Sequence, residues 1–263
     1  MNVESLLVRM DDNLASHASY LHAWVPGAEI RDFGDVLLTD SGLQHDTFNQ
    51  VCRARFTKDT AAGRAAEILA AVRGTGRPFT WWVGPASDPD TLRPLLHAAG
   101  LSVTESEEAM WIDLSTLPSA VAGGGLDLVR IATPDQVRAF AEMMSAGWDP
   151  PATPVARFFE LATAGILDAD CPSAFVVGYA DGVAVAAAEV HCTADVAGVY
   201  GVMTEPAHRR RGFGKAVTMA VLDIARRRGC RLAVLQASAE GAALYRRLGF
   251  QSIGRYTEHD LTA

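Results

Sequence analysis

The chain has 263 residues, 49% of them hydrophobic and 21% charged, with a formal net charge of −8. This balance fits a folded globular protein of one large or two modest domains and excludes a disordered chain. The acidic surplus excludes the broad basic surface that general nucleic-acid or anionic-membrane binding needs. No uncharged apolar run reaches the ~18 residues of a membrane span. Residues 1–13, MNVESLLVRMDDN, carry acids where a signal peptide starts basic, so a cytoplasmic protein is expected. Cys52, Cys171, Cys192 and Cys230 are scattered without CxxC spacing. Buried thiols are expected, with no disulfide framework and no metal site.

In the first half, residues 60–74 (TAAGRAAEILAAVRG) read as a helix. Residues 77–101 read as strand, turn and helix, and MWIDLSTLP as a closing strand. STLPSAVAGGG is small-residue rich and ends in three glycines, so a linker is placed at 116–125 between domains 1–115 and 126–263.

In the second half, LDLVRI (126–131) alternates as a strand. A helix follows, with Thr133 as cap and Pro134 at its first position, and TPVARFFELAT repeats the Thr-Pro start. SAFVVGYA, VAVAAAEVHC and AGVYGVMT are strands, the first two joined by the hairpin signal Asp181-Gly182. GKAVTMAVLDIARRRG is a helix with Val217, Val221 and Ile224 on one face, closed by Gly229. RLAVLQAS, EGAALYRRLG and FQSIGRYTEHDL complete the series as strand, helix and strand. The order is β-α-α-β-β-β-α-β-α-β, an α/β fold with a mixed sheet.

HRRRGFGKAV (208–217) leads from a strand end near Thr204 into a helix N-terminus. Unpaired amides and the helix dipole favour an anion there. Gly212 and Gly214 let a ligand approach the backbone, and Arg209, Arg210, Arg211 and Lys215 add charge. A phosphate or pyrophosphate suits this turn; the bland alternative is a basic capped turn on a solvated face. The GxGxxG fingerprint fails at Val217, and a Walker A loop fails at Arg209 and Ala216.

RRRGFG after VMTEP, with AALYRRLGF downstream, resembles the GNAT N-acetyltransferases, and the resemblance covers about 125–260. It implies acetyl-CoA as acyl donor and a sheet splayed between the domain's fourth and fifth strands. It also implies pantetheine pairing at Val202 and Thr204, and pyrophosphate held by the amides from Arg209 through Phe213 to Lys215. An asparagine common in the family before the last strand is here Ser238, which can still donate to the cofactor.

Tyr245 is the candidate acid: a phenol near pKa ~10 can protonate a thiolate whose acid lies near ~8.5. A backbone N–H near Val202 or Met203 is the candidate oxyanion donor. Where some members carry a basic glutamate, this chain has Gly198, so Glu189 and His191 are the substitute bases and Tyr200 lines the same cleft. The missing glutamate tilts the acceptor towards amines of low pKa or a water relay. Trp148 and Asp149 are candidate acceptor contacts, to pack on and pair with an ammonium group.

Residues 77–101 parallel 230–250, with Leu96 in place of Tyr245, and no RxxGxG precedes Gly63. The first domain is therefore read as a degenerate GNAT-like copy that walls part of the acceptor cleft; the alternative is an unrelated α/β domain. The expected activity is acetyl transfer to a small-molecule amine by a monomer or homodimer, without nucleic acid or membrane as partner. A peptide N-terminal acetyltransferase, a retired CoA-binding sensor and a phosphate-binding regulator are the rivals.

Overall fold

A computed structural model describes residues 2–117 and 125–261, so most of the expected linker lies outside the described residues. The chain divides into two compact units: Met1–Met110, Gln236–Ala243 and Ser252–Ala263 form the first, and Trp111–Leu235 and Leu244–Gln251 the second.

The first unit opens with α1 (Val3–Tyr20), capped by the Asn2 side chain on the Glu4 amide. Strands β1 (Glu29–Asp32), β2 (Leu37–Asp40) and β3 (Gln50–Cys52) follow. Helix α2 (Ala61–Arg73), strand β4 (Phe79–Val83), helix α3 (Pro89–Ala98) and strand β5 (Ser102–Asp113) complete its N-terminal part. β3 and β4 are parallel and joined through α2, and buried Ile68, Leu69, Trp81, Val83, Leu92 and Leu96 fill the core between helices and sheet.

The second unit contains β6 (Asp127–Arg130), α4 (Pro134–Ser145), α5 (Thr153–Leu161) and the single turn α6 (Thr163–Ile166). It continues with β7 (Ser173–Ala180), β8 (Val183–Thr193), β9 (Val196–Thr204), α7 (Phe213–Arg227) and β10 (Leu232–Ala237). Helix α8 (Ala242–Leu248) and strand β11 (Gln251–Leu261) end the described chain. Thr133 and Gln136 form a reciprocal capping box on α4. The strands run β10-β9-β8-β7-β6, with β9–β10 parallel and the others antiparallel. On β8, Ala186, Ala187 and Ala188 are fully buried, because α7 packs on one face of the strand and α4 on the other.

The last strand departs from the sequence reading, which kept 126–263 together. β11 pairs antiparallel with β4, His259 opposite Trp81 and Thr257 opposite Val83, and the first unit's order is β1-β2-β3-β4-β11-β5. Thr80 Oγ1 donates to Asp260 Oδ1 at 2.9 Å, and the Tyr256 hydroxyl donates to Asp11 on α1. Strand periodicity reports a strand but not its partner, so the sequence could not choose between β4 and a neighbour from the second half.

The first unit carries acids under strain. Burial pushes Glu258 up to about 8, reinforced by Glu107, Asp260, Glu105 and Asp46. Burial pushes Glu107 to about 7 and Asp11 to about 6. An acid whose folded pKa is raised keeps a proton that the unfolded chain has lost, so its penalty grows from the unfolded pKa upward and is complete above the folded one. Stability should therefore fall between about pH 4.5 and 8. Glu258→Gln is expected to raise stability at pH 8 by on the order of 1 kcal/mol and leave it unchanged at pH 4.5. Thermal unfolding at the two pH values checks this.

Candidate active site

The parallel ladder between β9 and β10 holds Val196, Ala197 and Gly198 against Leu232, Ala233 and Val234. Among the described residues no further β9–β10 pair follows. Burial changes at the same place: β9 is buried from Val196 to Val199, half-buried at Tyr200, Val202, Met203 and Thr204, and exposed at Gly201. The two strands thus part in mid-strand, in the splay that the resemblance implied.

At the parting, β9 bulges. Tyr200 pairs with Glu189 and Met203 with Ala187, so Gly201 and Val202 together face Ala188. Gly201 has φ +55°, a conformation that side chains resist. A Cβ there would also lie 3.3 Å from Met144 Sδ and 3.7 Å from Phe140 Cζ, both on α4. A bulge takes backbone groups out of the ladder and re-aims them, which supplies N–H donors beside the opening.

β9 runs into the basic turn. A short 3-10 turn, Pro206–His208, precedes Arg209, whose Nε donates to the Thr204 carbonyl at 3.3 Å. Arg210 and Gly212 both have left-handed φ, +64° and +85°, and Gly212 caps α7 without a side-chain bond. Such alternation turns successive N–H groups into one concavity. The first intrahelical bond of α7 runs from Ala216 to Gly212, which leaves the amides of Phe213, Gly214 and Lys215 at the helix mouth. Arg209, Arg210, Arg211 and Lys215 are exposed around it, and the Arg211 guanidinium lies 4.8 Å over the buried Phe213 ring.

Leu244 reaches the same turn: its Cδ2 would lie 3.6 Å from a Cβ on Gly214. The next residue, Tyr245, is 8% exposed and meets Phe250 edge-on at 5.8 Å. Ser238 has a local task, since its hydroxyl accepts from the Gly241 amide at 3.1 Å and its carbonyl from Ala242 as α8 begins.

Glu189 and His191 lie on one face of β8, as expected, but inside the core. They are 3% and 0% exposed and share Ser173 of β7, whose hydroxyl lies 2.8 Å from Glu189 Oε1 and 2.9 Å from His191 Nδ1. The single serine proton goes to the carboxylate, leaving the oxygen to accept from Nδ1–H. Tyr200, cross-strand from Glu189, is the one of the three that is half-buried. Trp148 (43% exposed) and Asp149 lie in the α4–α5 connection, which leaves α4 next to Met144 and so starts over the bulge. Sequence reasoning missed Ser173 as the hub of the buried network and Gly201 as the bulge. A glycine inside a strand was the available signal for the second.

A family model described as the acetyltransferase (GNAT) family matches residues 137–250. The glucosamine 6-phosphate N-acetyltransferase of Trypanosoma brucei brucei is 35% identical over 60 residues, 23% of this chain and 41% of that protein. In fold, the chain is similar to a GCN5-related N-acetyltransferase from Kribbella flavida (TM-score 0.70, 19% identity, 95% of each chain). It is also similar to a tandem GNAT protein from the clavulanic acid biosynthesis pathway (TM-score 0.59, 17% identity, 96% of this chain and 94% of that one). The matched residues include the bulged strand, the basic turn and Tyr245, and on this footing the chain carries, over 137–250, a domain of the acetyltransferase (GNAT) family.

Proposed function

We propose that the chain transfers an acetyl group from acetyl-CoA to the primary amine of a small molecule. The observation that carries this reading is the β9–β10 ladder that stops after Gly198 and opens towards the basic mouth of α7. The residues present fit the donor. Amides of Phe213, Gly214 and Lys215, with the guanidinium groups of Arg209, Arg210 and Arg211, suit a pyrophosphate. The freed edge of β9 at Val202 and Thr204 offers backbone groups to the amides of a pantetheine arm. Acetyl-CoA supplies the activated acyl group as a thioester.

The chain's own groups then have distinct tasks. The bulge N–H of Val202 or Met203 donates to the acyl oxygen as charge gathers there. Tyr245 holds a proton for the departing sulfur, which is why a phenol is useful at this place. Glu189 and His191 do not open onto solvent, so they position β7 and β8 under Tyr200 rather than meet an incoming amine. An acceptor neutral near pH 8 needs least help. Trp148 and Asp149 are the groups we assign to its recognition. Amino sugars belong at the head of the acceptor panel, since the curated relative acts on one by its name.

The first unit supports a structural role. Its parallel pair β3–β4 is also joined by a helix, but no glycine stands between Arg53 and Thr60. The Ala61 amide at the start of α2 is already used by Thr57 O at 2.9 Å, and the Thr57 amide by Thr60 Oγ1 at 3.1 Å. The turn before α2 therefore does not support an anion site like the one proposed at α7.

Calorimetry with acetyl-CoA should give one site per chain; two sites would overturn the structural role, and no binding at millimolar ligand would sink the donor assignment. Thiol release with an amine panel follows. Tyr245→Phe should lower kcat by roughly 10²-fold while leaving acetyl-CoA affinity within about twofold. Unchanged turnover would remove Tyr245 from the mechanism. Gly201→Ala should cost about 1–2 kcal/mol of stability and lower kcat, through φ strain and the Met144 contact. Denaturant unfolding and steady-state rates read both effects.

A further inference from the structure

The four cysteines are not equivalent. Cys52 and Cys171 are buried, Cys52 with its thiol pushed up to about 12 by burial. Cys192, near the end of β8, and Cys230, in the turn between α7 and β10, lie close enough for each thiol to be the largest influence on the other's ionisation. The register explains how residues so far apart in sequence meet. Cys192 pairs with Ala197 and Ala197 with Ala233, which sets the end of β8 near the start of β10. Cys192 also shares its strand face with Ala186, which pairs with Gly178, a glycine packed against Val217 of α7. The thiol therefore points to the side on which α7 ends and Cys230 follows.

Arg228 fixes the pair. Its Nη1 donates to Pro172 O at 2.6 Å, the same carbonyl that accepts the Cys192 amide at 3.0 Å, and Nη2 donates to Ser173 O at 3.2 Å. The guanidinium is thus anchored beside Cys192. Cys192 is partly exposed and Cys230 only 5% exposed.

We propose that Cys192 and Cys230 form a reversible redox site, in which Cys192 is the peroxide-sensitive nucleophile and Cys230 the resolving thiol. The Cys192 thiolate attacks one oxygen of hydrogen peroxide. The O–O bond breaks and hydroxide leaves, taking up a proton as water, and Cys192 becomes a sulfenic acid. The Cys230 sulfur then attacks the Cys192 sulfur, the S–O bond breaks, and the departing hydroxide takes the Cys230 proton. Two thiols and one peroxide give one disulfide and two waters, and an external dithiol reverses it.

The electrostatics agree with the roles. The neighbouring Cys230 thiol and the positive charge of Arg228 lower the Cys192 thiol against the cost of burial. Cys230 is raised by the neighbouring Cys192 thiol, by its own burial and by Asp195. Partly exposed thiols beside a fixed guanidinium react as thiolates, and buried thiols do not. Because Arg228 also holds the carbonyl of Ser173, the site adjoins the buried Glu189–Ser173–His191 network.

The test needs no activity. Iodoacetamide labelling of the folded wild-type chain, read peptide by peptide, should modify Cys192 at pH 7 at least ~10-fold faster than Cys52 or Cys230. Its rate should titrate below the ~8.5 of a free thiol. Millimolar hydrogen peroxide should then link the Cys192 and Cys230 peptides, with loss of two hydrogens and full reversal by dithiothreitol. Arg228→Gln should slow Cys192 labelling several-fold and Arg228→Lys should restore part of it. Equal labelling of Cys192 and Cys52, or peroxide treatment that leaves Cys192 and Cys230 unlinked, would overturn the proposal.

Discussion

The pairing of β9 with β10 ends after three residues, and the candidate site follows from that limit. A parallel pair needs a crossover, and here α7 supplies it. α7 starts where β9 ends, so its N-terminus stands at the carboxyl ends of the two strands, where they have parted. Strand ends, freed backbone groups and a helix mouth thus meet by topology alone. Each backbone group left without a partner in a dry interior would cost about 1–3 kcal/mol. The half-exposure of β9 beyond Val199 keeps those groups in reach of water or a ligand.

The opening is held by stiff surroundings. Phe140 of α4 meets Phe159 and Phe175 edge-on at 5.1 and 5.2 Å, and reaches the bulge on the same face. Such edge-to-face contacts add to burial and resist sliding of α4 over the sheet. Below them Glu189, Ser173 and His191 form a buried polar line across β7 and β8. Burying a carboxylate is costly unless its hydrogen bonds are made. The bonds hold two strands in one register, and a slip by one residue would break both together. A network with that consequence stiffens β7 and β8 beside the candidate site.

Local chemistry was legible wherever one stretch of chain decided the outcome. The Thr133 cap, the Asp181-Gly182 hairpin and the glycines of the basic turn each depend on a few neighbours, and the structure has them as read. What needed tertiary register was not legible. Glu189 and His191 share a face, as their two-residue spacing required, yet only Phe175 and Ser173 on the neighbouring strand show that this face is interior. Cys192 and Cys230 are spaced like unrelated thiols, and the β8–β9–β10 register brings them together. Burial and partner identity are properties of the sheet, and a single strand does not carry them.

The same distinction governs the domain boundary. Composition puts a break at 116–125, and chain order then assigns each strand to the half in which it occurs. The packing does otherwise. β11, from the end of the chain, covers β4 of the first unit, while Trp111, Ile112 and Leu114, from before the break, belong to the second. Leu114 donates its amide to Arg231 O at 2.9 Å, and Ile112 Cδ1 lies 3.3 Å from where a Cβ on Gly249 would be. Each unit therefore depends on residues encoded on the other side of the break. A chain cut there would leave β4 with an open edge beside Trp81 and Val83, and an open apolar edge is a template for aggregation. The first unit's sheet includes the last strand of the chain, so Gln251–Leu261 is constrained by the folding of that unit.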